Sequence, residues 1–135
     1  MSSSVGLIIN APNVLLKKFN INLDNLLIAV KNLGRIVVGK VILNQDAPQK
    51  PVKTILNYGL EPVLVNGCVD VAFTVEAMKL IYNPRVSVLA LGGRDSHFLP
   101  ILFEAKKVGK EVIIIGPSES LSIALQNTAD EVVKL

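Results

Sequence analysis

The chain has 135 residues, half of them hydrophobic, and its 14 basic and 11 acidic residues give a net charge of +3. This length predicts a single domain over residues 1–135 with a frayed leader at 1–4, and the absence of any apolar run near about 18 residues argues against a membrane span. The N-terminus does not resemble a secretory signal and Cys68 has no partner for an internal disulfide, so we expect a cytoplasmic protein whose mild basicity permits RNA as a partner.

Short apolar runs alternate with amphipathic segments in the first half of the chain. Asn22 is a good cap for the first long helix, and Gly34 ends it. Gly59 ends a second, shorter helix, and the pair Asn66 and Gly67 predicts a turn. The predicted elements are strands over 5–10, 36–43 and 60–65 and helices over 23–33 and 51–58.

The second half of the chain continues this alternation. One helix is predicted to begin at Asp70, the next at Ser96 or His97, and the last at Ser118 or Ser120. The predicted strands cover 86–91 and 111–115, with a short terminal strand over 131–135. Helical spacing predicts core stripes of Val71, Val75, Met78 and Tyr82 in the first of these helices and of Phe98, Ile101, Leu102, Ala105 and Val108 in the second.

This order of elements predicts an α/β fold with a mainly parallel sheet and helices on both faces. Ligands of such folds bind at the carboxyl ends of the strands. Asn10 follows the first strand, Asp70 heads a helix, and Asp95, Ser96 and His97 follow the fourth strand. We expect these side chains at one edge of the sheet, where clustered carboxylates could hold Mg²⁺ or Mn²⁺.

Simpler structural roles stand beside this site. Asp95 and Ser96 precede a helix and are ordinary N-caps, and a lone histidine such as His97 is more often structural than a ligand. The sequence contains no G-x-G-x-x-G, no P-loop and no G-x-S-x-G motif. Cys68 has no second cysteine to build a zinc site, so a buried, inert thiol is its expected role.

Three segments together resemble a NYN domain of the PIN-like nuclease superfamily, of the LabA-like (DUF88) type found in archaea and bacteria. They are VGLIINAPNVLLKKF, the stretch from NGCVDVAFTVEAMKLIYNPRV through ALGGRDSHFLPILFEAKKVGKEVIIIG, and ALQNTADEVVKL. The resemblance implies a three-layer αβα fold with a five-stranded sheet in the order 3-2-1-4-5. It also implies a metal-dependent ribonuclease.

The resemblance carries over to the acidic positions unevenly. Asp70 and Asp95 match acidic positions of the family, whereas Asn10 and His97 stand where the family usually has aspartates. The implied catalytic set is therefore Asp70 and Asp95 as direct ligands of Mg²⁺ or Mn²⁺, with Asn10 and His97 completing the shell. Glu76 matches a further acidic position, but on a straight helix it lies about 240° around from Asp70, so a solvated or salt-bridged helix residue is the alternative.

The expected contacts to substrate come from Asn13, Ser96, Arg94, Lys17 and Lys18. A solvated surface is the alternative for the three basic residues. The sequence supports two main functions in RNA metabolism. One is a divalent-metal-dependent ribonuclease with a partly degenerate acidic site; the other is a catalytically silent domain that binds RNA or a protein partner. A nucleotide binder that uses the serines of the last helix is a third function, and we expect a homodimer in each case.

Overall fold

The computed structural model describes residues 3–15, 21–47 and 49–135. Its centre is an all-parallel sheet of six strands. In chain order the strands are β1 (Ser4–Asn10), β2 (Arg35–Asn44), β3 (Glu61–Val65), β4 (Val88–Gly92), β5 (Glu111–Gly116) and β6 (Glu131–Lys134). They lie side by side in the order β3-β2-β1-β4-β5-β6.

Helices cover both faces of this sheet and complete three layers. The helices are α1 (Ala11–Val14), α2 (Leu23–Val30), α3 (Gln49–Asn57), α4 (Val69–Ile81), α5 (Leu99–Lys107) and α6 (Ile123–Thr128). Each face of the sheet has its own hydrophobic core, and alternate residues of β1 point into opposite cores. Leu7 and Ile9 pack with α1, α2 and α3, whereas Ile8 packs with α4, α5 and α6. The predicted α/β class and three-layer architecture are confirmed.

The predicted strand order 3-2-1-4-5 is confirmed, but the sheet has six strands rather than five. The short terminal strand β6 pairs in parallel with β5, with Glu131 opposite Ile113. At the other end of the chain, β1 already begins at Ser4, whose backbone N–H donates to the Ser87 hydroxyl at 3.1 Å. Strand pairing therefore starts inside the segment that was expected to be frayed.

The core stripe predicted for α4 is wrong except at Met78, which is partly buried and packs against the core. Val71, Val75 and Tyr82 are all at least half exposed. The buried face is instead formed by Phe73, Ala77, Leu80 and Ile81. Phe73 decides the rotation of the helix, because its ring packs against the buried ring of Phe98 with centroids 5.0 Å apart. In α5 the predicted stripe is buried except for Val108, which ends the helix and is 39% exposed.

The last helix begins later than predicted, since Ser122 rather than Ser118 or Ser120 is its cap. The Ser122 hydroxyl accepts a hydrogen bond from the backbone N–H of Leu125 at 3.3 Å. The preceding Leu121 is buried in the core, so the chain has to complete a turn before the helix can start. Within the described residues, no helix combines the length and apolarity needed to cross a membrane.

Candidate functional site

The carboxyl ends of β1 and β4 lie next to each other at the centre of the sheet, where Ile9 is opposite Gly92. From β1 the chain winds outward to β2 and β3 on one side, and to β4, β5 and β6 on the other. Such a change of direction leaves a crevice at the carboxyl edge. The first turns of α1 and α4 and the loop after β4 border this crevice, and each of them contributes polar side chains.

Asn10, the last residue of β1, is completely buried and points its amide group at α4. Its Oδ1 accepts a hydrogen bond from the backbone N–H of Asn13 at 3.3 Å and thereby caps α1. Its Nδ2 then faces the other way and donates to Oδ1 of Asp70 at 2.8 Å. Asp70 lies in the first turn of α4, where the helix dipole favours a negative charge.

Asn13 forms the second bridge, between α1 and the loop after β4. Its Oδ1 accepts a hydrogen bond from the backbone N–H of Arg94 at 2.7 Å, so its Nδ2 is directed to Oδ2 of Asp95 at 2.6 Å. Arg94 folds back over the same residues, donating from Nε to the Asn13 carbonyl at 2.8 Å and from Nη1 to Oδ1 of Asp95 at 3.2 Å. Both asparagines are thus oriented by backbone donors and present an NH₂ group to an aspartate.

His97 completes the cluster from the short 3₁₀ turn Ser96–Phe98. Its Nε2 lies 3.0 Å from Oδ2 of Asp70, and its ring rests against the buried ring of Phe98 with centroids 4.2 Å apart. Ser96 is exposed beside it. The structure therefore brings together Asn10, Asp70, Asn13, Arg94, Asp95 and His97. The sequence predicted this edge for Asn10, Asp70 and the loop 95–97, and it named Asn13 and Arg94 only as substrate contacts. We call these six residues the aspartate–asparagine cluster.

Every carboxylate oxygen of this cluster has a partner within the chain. Asp70 is bonded to Asn10 and His97, and Asp95 is bonded to Asn13 and Arg94. Asp95 holds the N-cap position of the 3₁₀ turn, but its carboxylate makes no capping bond there. The simple capping role considered for Asp95 is therefore wrong, and its side chain serves the cluster instead.

Comparison with known proteins assigns the chain to a family. The sequence model of the NYN domain matches residues 4–135, almost the whole chain. The chain belongs to the NYN domain family. This confirms the resemblance seen in the sequence and places the chain among the PIN-like NYN proteins.

One sequence relative and one solved structure are similar to this NYN protein over nearly its whole length. A protein of Methanocaldococcus jannaschii is 44% identical over 131 residues, which cover 97% of this chain and 55% of that protein. The chain thus spans little more than half the length of this relative. A crystal structure of a protein of unknown function from Vibrio parahaemolyticus RIMD 2210633 superimposes with a TM-score of 0.83 at 20% identity, covering 99% of this chain and 93% of that one. This second likeness shows the fold alone.

PIN-like NYN nucleases generally depend on a divalent metal ion, but the cluster does not fit one. A hard divalent cation needs several free oxygen ligands. Here Asn10 and Asn13 present nitrogen atoms to the two aspartates, and the guanidinium of Arg94 already neutralises Asp95. Among the described residues, no three His, Cys, Asp or Glu side chains come close enough to hold a metal together.

Glu76 makes its described contacts away from the cluster. Its two carboxylate oxygens pair with Nζ of Lys40 at 2.5 Å and with Nζ of Lys79 at 2.9 Å. The hydrogen bond from Lys40, followed by that from Lys79, lowers the pKa of Glu76 despite its partial burial. These contacts correspond to the salt-bridged alternative. Lys40 was not singled out from the sequence, although its place on β2 beside the α4 face could have suggested it.

The remaining predicted residues are placed as follows. Arg94 is mostly covered by the cluster, while Lys17 and Lys18 lie outside the described residues. Cys68 is exposed at the N-cap position of α4 rather than buried, and it makes no capping bond. The bridging role of Asn13 is more central than the substrate contact expected of it, because it ties Arg94 and Asp95 to α1.

Proposed function

We propose that this NYN protein binds single-stranded RNA at the carboxyl edge of its sheet without metal-dependent cleavage. One observation carries the proposal: all four carboxylate oxygens of Asp70 and Asp95 accept hydrogen bonds from side chains of the same chain. Each of these oxygens already faces a fixed side-chain donor, so a divalent ion would have to compete with these donors for the carboxylates.

The choice of RNA as ligand is supported by three features together. The chain belongs to a family of PIN-like, nuclease-type domains, its net charge is +3, and the strand order changes direction between β1 and β4, which is where α/β folds bind ligands. Ser96 and the partly exposed ring of His97 stand at this edge, and the Ser96 hydroxyl can donate a hydrogen bond to a phosphate oxygen. Binding of this kind weakens as salt increases because counterions are released from the strand.

The competing function is metal-dependent RNA cleavage, which the two retained aspartates favour. Their carboxylates are 44% and 32% exposed for Asp70 and Asp95, so solvent reaches both. In that case an ion would bind on the exposed side of the carboxylates, or would displace the donors Asn10, Asn13 and His97. One experiment separates the two functions.

Labelled single-stranded RNA is titrated with the protein in EDTA and again in Mn²⁺, and its integrity is read on a gel. We expect equal affinity in both buffers and intact RNA. Asp95→Asn should bind RNA up to about fivefold more tightly, because it removes one partly exposed negative charge worth at most about 1 kcal/mol. Glu111→Gln is the matched control, since it removes an exposed charge at the start of β5, on the opposite edge of the sheet.

RNA cleavage in Mn²⁺ that is lost in Asp95→Asn would establish the nuclease and refute the proposal. Retention of a protein partner with no affinity for RNA would refute it as well.

The single-domain organisation of residues 1–135 and the cytoplasmic location stay predictions of the sequence. We also propose a homodimer, because the outward face of α4 carries the exposed Val71, Val75 and Tyr82. Sedimentation that compares the oligomeric state of Val75→Glu with that of wild type tests it.

A further inference from the structure

A second feature of the carboxyl edge lies beside the aspartate–asparagine cluster. A cavity of about 440 Å³ opens between the turn after β2 and the turn after β3, lined by Asn44, Gln45, Asp46, Val65, Asn66 and Gly67. The two turns are tied together, because the backbone N–H of Gln45 donates to the carbonyl of Val65 at 2.9 Å. Gly67 adopts a φ of 115°, which lets the chain turn sharply into α4. We call this cavity the amide pocket.

The lining of the amide pocket is polar but carries no positive charge. Three primary amides and one carboxylate face it, and none of its described lining residues is a lysine or an arginine. A phosphate would therefore meet the negative charge of Asp46 with no positive charge among the described lining residues to offset it. The side chains of Asn44, Gln45 and Asn66 are exposed and make no hydrogen bond with other described residues, so their donors and acceptors remain available for a neutral polar ligand.

The amide pocket is continuous with the cluster along the sheet edge. Asn10 is opposite Ile42, and Asn44 lies two residues further along the same strand β2. A second cavity of about 460 Å³, bordered by Ala11 and Pro12 of α1, shares Asn44 and Asp46 with the amide pocket. On the other side, Asp70 follows Gly67 by only three residues. A strand lying along this edge would pass both features.

We propose that the amide pocket reads one base of the single-stranded RNA, an inference that rests on the proposed function. Asn and Gln pair in bidentate fashion with adenine, and a carboxylate accepts from the amino group of cytosine. Single-stranded RNA offers these base edges freely, since its bases are unstacked and can be splayed into a pocket. Asp46 can accept from an exocyclic amino group, which adenine and cytosine carry and uracil lacks, while Asn66 and Gln45 complete a bidentate pair. The pocket therefore favours adenine and cytosine over uracil.

The test measures fluorescence anisotropy with labelled oligo(A), oligo(C) and oligo(U) of equal length at two salt concentrations. Wild type should bind oligo(A) and oligo(C) more tightly than oligo(U). Asn66→Ala and Gln45→Ala should each reduce this preference by about tenfold, the size expected for one bidentate contact. The salt dependence should not change, because no phosphate contact is lost. Asn57→Ala, an exposed amide at the end of α3 on the opposite edge, should behave as wild type.

Equal affinity of wild type for the three oligonucleotides, or a preference that survives both substitutions, would overturn base reading and leave RNA binding in place. A uniform loss of affinity with a smaller salt slope would mean that the pocket contacts phosphates, which also overturns the proposal. If wild type binds none of the oligonucleotides, both the base pocket and the proposed function fail. Thermal unfolding of each variant, matched to wild type, shows that the effects are not caused by misfolding.

Discussion

The substitution Asn10→Asp tests directly whether internal amides take the place of a cation in this site. In the wild type Nδ2 of Asn10 donates to Oδ1 of Asp70 at 2.8 Å. The substitution keeps the acceptor that caps α1 but puts a second carboxylate oxygen where the donor was. It removes a hydrogen bond to a charged group, worth about 1.5–3 kcal/mol, and replaces attraction by repulsion.

The size of the repulsion can be bounded from the geometry. Two unit charges 2.8 Å apart repel by about 6 kcal/mol at an effective dielectric constant of about 20. The new carboxyl can avoid the repulsion by taking up a proton, so the penalty cannot exceed the cost of protonation. Holding a group with an ordinary pKa of about 3.9 neutral at pH 7 costs about 4 kcal/mol. The protonated group can also donate to Asp70 again. We therefore expect Asn10→Asp to lower the free energy of unfolding by about 2–4 kcal/mol at pH 7, with the loss disappearing as the pH falls towards 4.

The same variant should acquire a response to divalent ions that the wild type lacks. A cation between the two carboxylates relieves the repulsion, so Mn²⁺ should raise the stability of Asn10→Asp in proportion to its binding. Urea unfolding with EDTA or with Mn²⁺ measures both quantities. Asn22→Asp is the matched control, since Asn22 caps α2 through the same type of bond, to the N–H of Asn25 at 2.8 Å, and aspartate and asparagine are about equal as caps.

A variant Asn10→Asp that is as stable as wild type at pH 7 would show that the Asn10–Asp70 bond contributes nothing. A wild type that Mn²⁺ stabilises as strongly as the variant would show that the cluster admits the ion as it stands. Either result would contradict the argument that the donor set does not fit a metal, and the second would return the nuclease to first place.

Three further predictions follow from other parts of the structure. Asn13→Ala should cost about 2–3 kcal/mol in urea unfolding, because it leaves the Arg94 N–H and one Asp95 oxygen without their partners; no loss would mean that water replaces both bonds. The lowered pKa of Glu76 means that its ion pairs stabilise the protein above the ordinary carboxyl pKa, and this stabilisation is lost as the pH falls through the lowered value. Glu76→Gln should therefore cost about 1 kcal/mol at pH 7, and the difference from wild type should vanish once the pH lies below that lowered value. Phe73→Ala should lower the free energy of unfolding by about 3–5 kcal/mol. Val75→Ala, on the exposed face of α4, should lower it by less than about 0.5 kcal/mol. If thermal unfolding showed Val75→Ala to be the more destabilising variant, the described rotation of α4 would be wrong.

The fold was largely predictable because its signals are local. Apolar runs separated by glycine and proline gave the strands, and their alternation with helices left few topologies to consider. The face of α4 was not predictable, because apolar residues surround this helix: Val71 and Val75 keep the same helical spacing as Phe73 and Ala77. Only the packing of Phe73 on Phe98 selects between them, and that contact joins residues far apart in sequence.

The members of the site were predictable, but their roles were not. That Asn10, Asp70 and Asp95 meet follows from the rule that parallel strands share a carboxyl edge. Which atom of an asparagine faces an aspartate depends on which backbone N–H takes its oxygen, and that is a property of the folded turn. The N–H of Asn13 takes the oxygen of Asn10, so only its nitrogen remains for Asp70.

Asn10 and His97 therefore act together on Asp70, and their effect is more than the separate loss of two possible metal ligands. If aspartates stood at both positions, four carboxylates would face one crevice and would need a cation to remain folded there. With Asn10 and His97, each partner of Asp70 is a donor, and with Asn13 and Arg94 the same holds for Asp95. The cluster then joins α1, α4 and the loop after β4 without any ion. An edge held in place in this way can present a fixed surface to an RNA strand at any metal concentration, which is what a protein that binds without cutting requires.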